Sequence, residues 1–526
     1  MILFATLLPT AALVFLLQQR TTTLLTYFQQ EEYDGRRFVD SFRDVRLFDI
    51  RASLAVVVAI IAGFAGLPKA LCVILLAASF VAIASIERGY RYKKPLAKTQ
   101  RAMRIWRLAL VPLCLGALLV LVHPIFAIIA LQAVPFALMG ANKILKPVQE
   151  RINEGFVDQA RTKLEALDPI RIGITGSFGK TTVKHMFAEI LETSGPVFYS
   201  PGSINTVLGH TRHIRQRLQY AHKYFVAEMG AYGIGSIKRL CDFIHPQYGI
   251  VTAVGDAHTE RFGSIEAIAQ AKSELAAETC AVGGTMVINA DVMQYAPFQA
   301  LKDQYGDKII TVGMKDADVT IEAVEIEGGS WSITLHSDDA RVPTITYELP
   351  LIGDHNVMNS ALAVTMALVI DISTADQIPY FTKTVAQIPH RLQKIDTPGS
   401  ALILDDAYNS NELGFMSAVS ALDKLAKHRG GRRILVTPGI AELGLEHDRV
   451  HARLGTFSGA RCDEIYVVNP SRVESFVTTA KAETAKVIEV PTFFAARAAI
   501  AKTLTKDDVV LYENDLPDLL EEKRFL

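Results

Sequence analysis

Between Ile172 and Val183 the chain reads Ile-Gly-Ile-Thr-Gly-Ser-Phe-Gly-Lys-Thr-Thr-Val, residue types that at this spacing can cradle phosphate. Gly176 and Gly179, with Ser177 between them, let backbone amides approach phosphate oxygens, and the helix that starts there adds partial positive charge. Lys180 can reach β- and γ-oxygens, and the Thr181 hydroxyl, followed by Thr182, is placed to ligate magnesium. The strict P-loop spacing is not met, because Ile174 stands six before Lys180 where a glycine is expected. The ligand predicted is a nucleoside triphosphate.

The flanking elements must position that loop. Ile170–Ile174 is an apolar run of strand type, and Val183–Leu191 has the pattern of an amphipathic helix. From Pro169 onward, runs at Tyr224–Glu228, Gly249–Ala253 and Thr285–Asn289 alternate with helical patterns, which predicts an α/β domain with a mainly parallel sheet. Residues 308–351 carry four runs of period two, beginning at Ile309, Val319, Trp331 and Thr344, and suggest an inserted antiparallel subsheet. After Pro398-Gly399, runs at Ala401–Asp405, Arg433–Val436, Glu464–Val468, Lys486–Val490 and Val509–Tyr512 predict a second, Rossmann-like unit.

Strand ends supply further candidates. Glu228 ends the run Phe225-Val-Ala, where a magnesium-ligating carboxylate would face the phosphates. His258 closes Val251-Thr-Ala-Val-Gly-Asp-Ala-His, and Lys272 follows on a helical pattern, where a lysine is ordinarily solvated. A phosphate loop alone suits a GTPase, a kinase, a transport ATPase or a ligase.

The first quarter of the chain has another character. At 526 residues there is room for about three domains. The net charge of −1 gives no electrostatic reason to expect nucleic acid. Five scattered cysteines form no metal-ligand pair and fit a reduced cytosolic face. Apolar runs at Ile2–Leu17, Leu54–Leu67, Leu71–Ile86, Leu108–Val122 and Ile125–Met139 predict five membrane spans, each near the short limit. A buried helical domain with apolar hairpins is the other reading. Basic residues crowd 18–53 and 87–107, so the positive-inside rule puts both loops and everything after Lys143 in the cytosol. The expected organisation is a multi-pass membrane region at 1–143 in contact with lipid and a connecting helix at 144–168. A central ATP-binding domain at 169–396 and a C-terminal domain at 397–526 follow.

Seven ordered strings together resemble the Mur ligase family, most closely members that join D-alanyl-D-alanine to a muramoyl tripeptide. They are Thr175–Thr182, Ser200-Pro-Gly-Ser-Ile-Asn205, Glu228-Met-Gly-Ala231 and Gly255-Asp-Ala-His258 with Phe262-Gly-Ser264 and Ala271-Lys272. Gly353-Asp-His-Asn-Val-Met-Asn359, His390-Arg391 and Asp405-Asp-Ala-Tyr-Asn409 complete them. The resemblance implies an ATP-dependent acid–amine ligase of cell-envelope synthesis that uses two magnesium ions. Lys180 would hold the γ-phosphate, Thr181 and Glu228 one magnesium, and His258 the second together with Lys272 if that lysine is carbamylated. Asn356 would contact adenine, Arg391 and Asp406 would meet ATP on closure, and Asn205, Tyr408 and Asn409 would face the substrates. Lys180, Lys272, His258 and Arg391 are the implied catalytic set.

Three departures bear on the substrates. No domain that grips the UDP end is recognisable, and the apolar runs occupy its place. The family's Gly-Asp-Met-x-Glu-Leu-Gly reads Pro438-Gly-Ile-Ala-Glu-Leu-Gly444, and its late Lys-Gly-Ser is replaced by Tyr512-Glu-Asn-Asp-Leu-Pro517. A ligase for another envelope acceptor, of poly-γ-glutamate or lipid-linked type, therefore stays open, as does a membrane ATPase.

Overall fold

The computed structural model describes residues 2–40, 47–90, 92, 94–255, 262–326, 329–408, 411–441 and 443–514. Two units separate near Asn153, within the long helix Val134–Leu167.

The first unit is helical. Ile2–Gln30, Ile50–Phe64, Lys69–Arg88 and Gln100–Ala117 pack around Leu13, Leu16, Leu24, Phe28, Phe80 and Ile105. Its outward faces remain apolar at Val58, Ile61, Phe64, Ile74, Val111 and Leu115. Among the described residues, Lys69–Arg88 and Gln100–Leu121 are long and apolar enough to cross a membrane. A third is counted if the bent pair Phe126–Gln132 and Val134–Leu167 is one span. This is fewer than the five expected. Ile50–Phe64, for instance, has 15 residues, a rise of about 22 Å, short of a hydrocarbon core of about 30 Å.

One expected loop is partly helix. The first helix continues to Gln30, so Arg20 lies inside it, fully buried. Its guanidinium donates to Glu87 Oε1 at 3.2 Å and to the Leu47 carbonyl at 3.0 Å. Arg51 donates to the same Glu87 oxygen at 3.2 Å. A buried charge that is not paired is expensive, and this pairing ties the helix Ile2–Gln30 to the helix Lys69–Arg88.

The second unit holds two sheets. In the central domain the strands are β1 (Ile170–Thr175), β2 (Val197–Tyr199), β3 (Tyr224–Glu228), β4 (Tyr248–Val251) and β5 (Thr285–Asn289). They continue as β6 (Ile309–Gly313), β7 (Val319–Ile326), β8 (Ser330–Ser337) and β9 (Ile345–Leu349). The sheet order is β2-β3-β1-β4-β5-β6-β7-β8-β9, with pairs parallel as far as β7 and antiparallel from β7 to β9. The expected antiparallel subsheet is therefore an extension of the main sheet. Its first run, β6, belongs to the parallel part, pairing with β5 and buried along its whole length.

Chain order reverses around β1, which lies between β3 and β4, so the phosphate loop opens at the switch point where α/β sheets bind ligands. The helix Lys180–Leu191 leaves that loop. It buries Val183, Met186, Phe187, Ile190 and Leu191, one face of a 3.6-residue period, against the helix His355–Ile370.

The C-terminal domain has β10 (Gln393–Ile395), β11 (Leu402–Asp406), β12 (Arg433–Thr437), β13 (Glu464–Val468), β14 (Lys486–Val490) and β15 (Val509–Glu513). Their order is β10-β11-β15-β12-β13-β14, parallel except for the edge strand β10. All five expected strands form.

Candidate active site

The loop after β1 is shaped by what a side chain would strike. A Cβ at Gly176 (φ 154°) would collide with Thr252 Oγ1, and one at Gly179 (φ 81°) with Asn359 Oδ1. The end of β4 braces the loop from behind. Ser177 N–H donates to the Ala253 carbonyl at 2.8 Å, Gly255 N–H donates to Ser177 Oγ at 3.0 Å, and Thr252 Oγ1 donates to the Phe178 carbonyl. Lys180 folds back over the loop, donating to the Gly176 carbonyl at 2.6 Å and the Ser177 carbonyl at 3.3 Å. Burial pushes its ammonium down to about 8, against the attraction of Glu228 and with help from Arg391 and Lys184. A site that stores cationic charge at this cost is made for an anion.

Glu228 ends β3 beside the loop, buried. Its Oε2 accepts from Thr181 Oγ1 at 2.9 Å and from Lys184 Nζ at 3.1 Å, and its Oε1 accepts from Asn205 Nδ2 at 3.4 Å. A hydroxyl and a carboxylate side by side are the hard oxygen donors that magnesium takes. Asn205 also accepts from the Tyr232 hydroxyl at 3.2 Å. Lys272, buried on the helix Ile265–Ala281, opens on the same cavity. Desolvation, and then the Lys180 charge, push its amine well below the ordinary range.

One cavity of about 230 Å³ brings together Gly176, Ser177, Gly179, Lys180, Thr181, Thr182, Asn205, Glu228, Lys272, Arg391 and Tyr408. Asn356 and Asp406 line two neighbouring cavities instead, Asn356 with Pro350, Ile352 and Gln387, and Asp406 with Asn289, His355 and Asn359. Thr182 and Arg391 line all three. Asn356 is fixed by donating to the Ile352 carbonyl at 2.7 Å and accepting from Asn359 at 3.3 Å. His258 and Asn409 lie outside the described residues.

The sequence assigns no individual role to Lys184, nor to Ser203 and Asn359, which lie within two of the family-like strings. Lys184 carried a readable signal, since it sits four residues after Lys180 and so shares its face of the helix.

Arg391 occupies the junction of the two domains, its guanidinium carbon 4.4 Å from the centroid of the Tyr408 ring. The residues on either side, His390 (φ 61°) and Leu392 (φ 48°), are both left-handed without being glycine. Such conformations cost on the order of 1–3 kcal/mol each and persist only where surroundings enforce them. Here His390 Nδ1 meets Asp405 Oδ2 at 2.8 Å, and Leu392 N–H donates to Asp406 Oδ1 at 3.0 Å. Burial raises Asp406 to about 6, against the Leu392 N–H and the Arg391 charge, with Asp405 reinforcing the rise.

A carboxyl raised when folded contributes stability that is complete below its ordinary 3.8 and lost as pH climbs through about 6. Asp406→Asn keeps an acceptor for Leu392 but cannot ionise. Its melting temperature relative to the unsubstituted protein should therefore rise across that window and level off above it. Parallel melting curves at all pH values would refute the assignment.

Two family models match consecutive stretches of the chain: the Mur ligase middle domain at residues 174–367, and the Mur ligase glutamate ligase domain at residues 390–512. The UDP-N-acetylmuramoyl-tripeptide–D-alanyl-D-alanine ligase of Escherichia coli is 30% identical over 284 residues, which are 54% of this chain and 61% of that protein. The ligase of the same name from Mycobacterium bovis is 33% identical over 287 residues, 53% of this chain and 55% of its own length. The chain thus spans about three-fifths of the length of the curated relatives it matches. Among solved structures, the MurF ligase of Thermotoga maritima in complex with ADP shares the fold, with a TM-score of 0.58 at 23% identity, covering 69% of this chain and 80% of its own. MurF from Acinetobacter baumannii does so with a TM-score of 0.56 at 24% identity, covering 69% and 77%. Taken together, the two domain models cover more than half of the sequence, and the chain belongs to the Mur ligase family.

Proposed function

We propose that this chain is an ATP- and magnesium-dependent ligase that joins an amine, D-alanyl-D-alanine in the leading case, to the terminal carboxylate of a muramoyl peptide. The observation that carries the reading is the convergence of Lys180, Thr181, Glu228, Lys272 and Arg391 on one cavity at the sheet's switch point. The names of its relatives supply the substrate.

The acceptor carboxylate attacks the γ-phosphorus of ATP, forming a carboxyl–phosphorus bond as the β,γ-bridge breaks and ADP leaves. The amine nitrogen then attacks the acyl carbon, phosphate departs with the bonding pair, and the nitrogen loses a proton. Two anions meet in the first step, and Lys180 offsets their repulsion where the phosphate lies. Asn205 and Tyr408 line the same cavity and would face the acceptor. Arg391, shared by all three cavities, links nucleotide binding to closure of the C-terminal domain, which keeps water from the acyl phosphate.

Thr181 and Glu228 would hold one magnesium, and carbamylated Lys272 with His258 a second, supplying charge neutralisation for the phosphates. A neutral amine is what reacts with carbon dioxide, the nitrogen attacking carbon and releasing a proton. The burial that lowers Lys272 favours that form.

A lipid-linked acceptor is the second reading. It is favoured by the first unit, whose exposed apolar helices stand where the family match has not begun. The same helices support a multi-pass location in the cell membrane, with the catalytic unit on the cytosolic side.

Three outcomes test these statements. The purified protein, offered muramoyl peptides and other envelope carboxylates with candidate amines, should sustain ADP release over many turnovers only with a matched pair, and Lys180→Ala should abolish release. Near-normal turnover in that variant would end the nucleotide assignment. Lys272→Ala should lose most activity and regain part of it with added acetate or a similar short acid; unaided activity would dismiss the carbamate. A reporter fused after Lys143 should read as cytosolic, and an external signal would reverse the topology.

A further inference from the structure

Lys184 has no place in the mechanism above, yet it is the most completely enclosed cation near the phosphate loop. Its side chain and that of Glu228 are 0% and 1% exposed, and the two form a direct ion pair of 3.1 Å. A second hydrogen bond from the same ammonium goes to the carbonyl of Gly202. One nitrogen therefore bridges the carboxylate at the end of β3 and the middle of the segment Ser200–Asn205.

That segment touches the phosphate loop and the carboxylate at two further points. Ser203 Oγ lies 3.2 Å from Thr181 Oγ1, and Asn205 Nδ2 donates to Glu228 Oε1 at 3.4 Å. Within itself the segment is stiffened by Ser200 Oγ donating to the Ile204 carbonyl at 3.1 Å. Asn205 ends it, and its backbone carbonyl accepts from Gly230 N–H at 2.9 Å. Glu228, Thr181 and Lys184 thus each tie this segment to the nucleotide side. The amine of Lys184 grips the segment's backbone at its middle, as the Gly230 N–H does at its end.

We propose that Lys184 is a positioning residue that couples the cation-holding carboxylate to the Ser200–Asn205 segment, so that loading of magnesium and nucleotide sets the wall on which the acceptor rests. Thr181 Oγ1 and Lys184 Nζ both address Glu228 Oε2. A divalent cation held by Thr181 and Glu228 competes with Lys184 for that oxygen, and the second bond of the ammonium, to Gly202, carries the change to the segment. By linkage the dependence runs both ways: whatever fixes the segment alters how tightly the cation is held. The proposal rests on the ligase reading for what the segment faces, but its test needs only nucleotide and magnesium.

The measurement is hydrogen–deuterium exchange over residues 200–206 of the full-length protein, with and without Mg·ADP, beside calorimetric binding of Mg·ADP. In the unsubstituted protein, Mg·ADP should change exchange in this segment several-fold. In Lys184→Met the segment should exchange several-fold faster without ligand, strands β1 and β3 should keep their protection, and the response to Mg·ADP should disappear while binding persists. Lys184→Arg, which keeps charge and reach, should restore most of the response. Should Lys184→Met not be recovered folded, Lys184→Gln, which retains a donor without charge, is read against the same expectations. An equal response to Mg·ADP in the unsubstituted and substituted proteins overturns the proposal and leaves the ligase reading intact. Failure of the unsubstituted protein to bind Mg·ADP removes both.

Discussion

A carboxylate enclosed by protein must be met by donors, and in this molecule the carboxylate of Glu228 imposes that requirement on everything around it. It is buried at the end of β3 and accepts from Thr181, Lys184 and Asn205, while its own backbone carbonyl meets His210 Nε2 at 2.7 Å. Those four partners come from the helix after the phosphate loop, the segment before residue 206, and the helix Val207–Arg217. Removing Thr181, Lys184 or Asn205 leaves the buried carboxylate less compensated. The register of β1 on β3, which pairs Ile174 with Glu228, fixes how far the phosphate loop stands from this acid. Sheet pairing thus sets the site's spacing before any side chain is chosen.

The second constraint is the junction at residues 390–392. Two left-handed residues flank Arg391, and acids from the C-terminal domain, Asp405 and Asp406, hold them. A hinge built this way gives the arginine a defined direction at a conformational cost that the paired carboxylates offset. It also explains why one side chain reaches three cavities: the strained backbone projects it between the domains rather than along either surface. Additional contacts span the same boundary, Lys424 to Glu325 at 2.7 Å and His355 to Ser417 at 3.2 Å. These two ties are polar, while Ile352 of the central domain packs on the C-terminal core.

Much of this was legible in the sequence because it rests on residue types with narrow uses. Glycines at 176 and 179 announce a backbone that side chains would obstruct, and an acid at the end of an apolar strand announces a ligand facing the phosphates. What escaped detection depends on partners far away in sequence. The sequence puts Lys184 on the face of Lys180, but only Glu228, 44 residues later, shows that it is buried and paired. Arg20 counts as loop charge until Glu87, 67 residues later, buries it inside a longer helix. Short apolar runs carry no sign of strand direction, so β6 reads from sequence as part of an antiparallel insert; its complete burial on both faces marks it as part of the parallel sheet.

The departures from the family pattern in the C-terminal domain are also a matter of distant contact. The described part of Tyr512–Pro517 ends β15, with Glu513 and Asn514 buried. Asn514 Nδ2 donates to the Gly439 carbonyl at 2.7 Å, and its backbone N–H donates to the Asp406 carbonyl at 3.1 Å. Gly439 belongs to the other altered stretch, where its left-handed φ of 76° leaves no room for a Cβ against His451. Arg472 holds the same turn by donating to the carbonyls of Pro438 and Ile440. Two changes that are 75 residues apart in sequence are therefore one hydrogen-bonded structure. The asparagine side chain satisfies a carbonyl of the turn at Pro438-Gly439, and an apolar residue at 514 would leave that buried carbonyl without this donor.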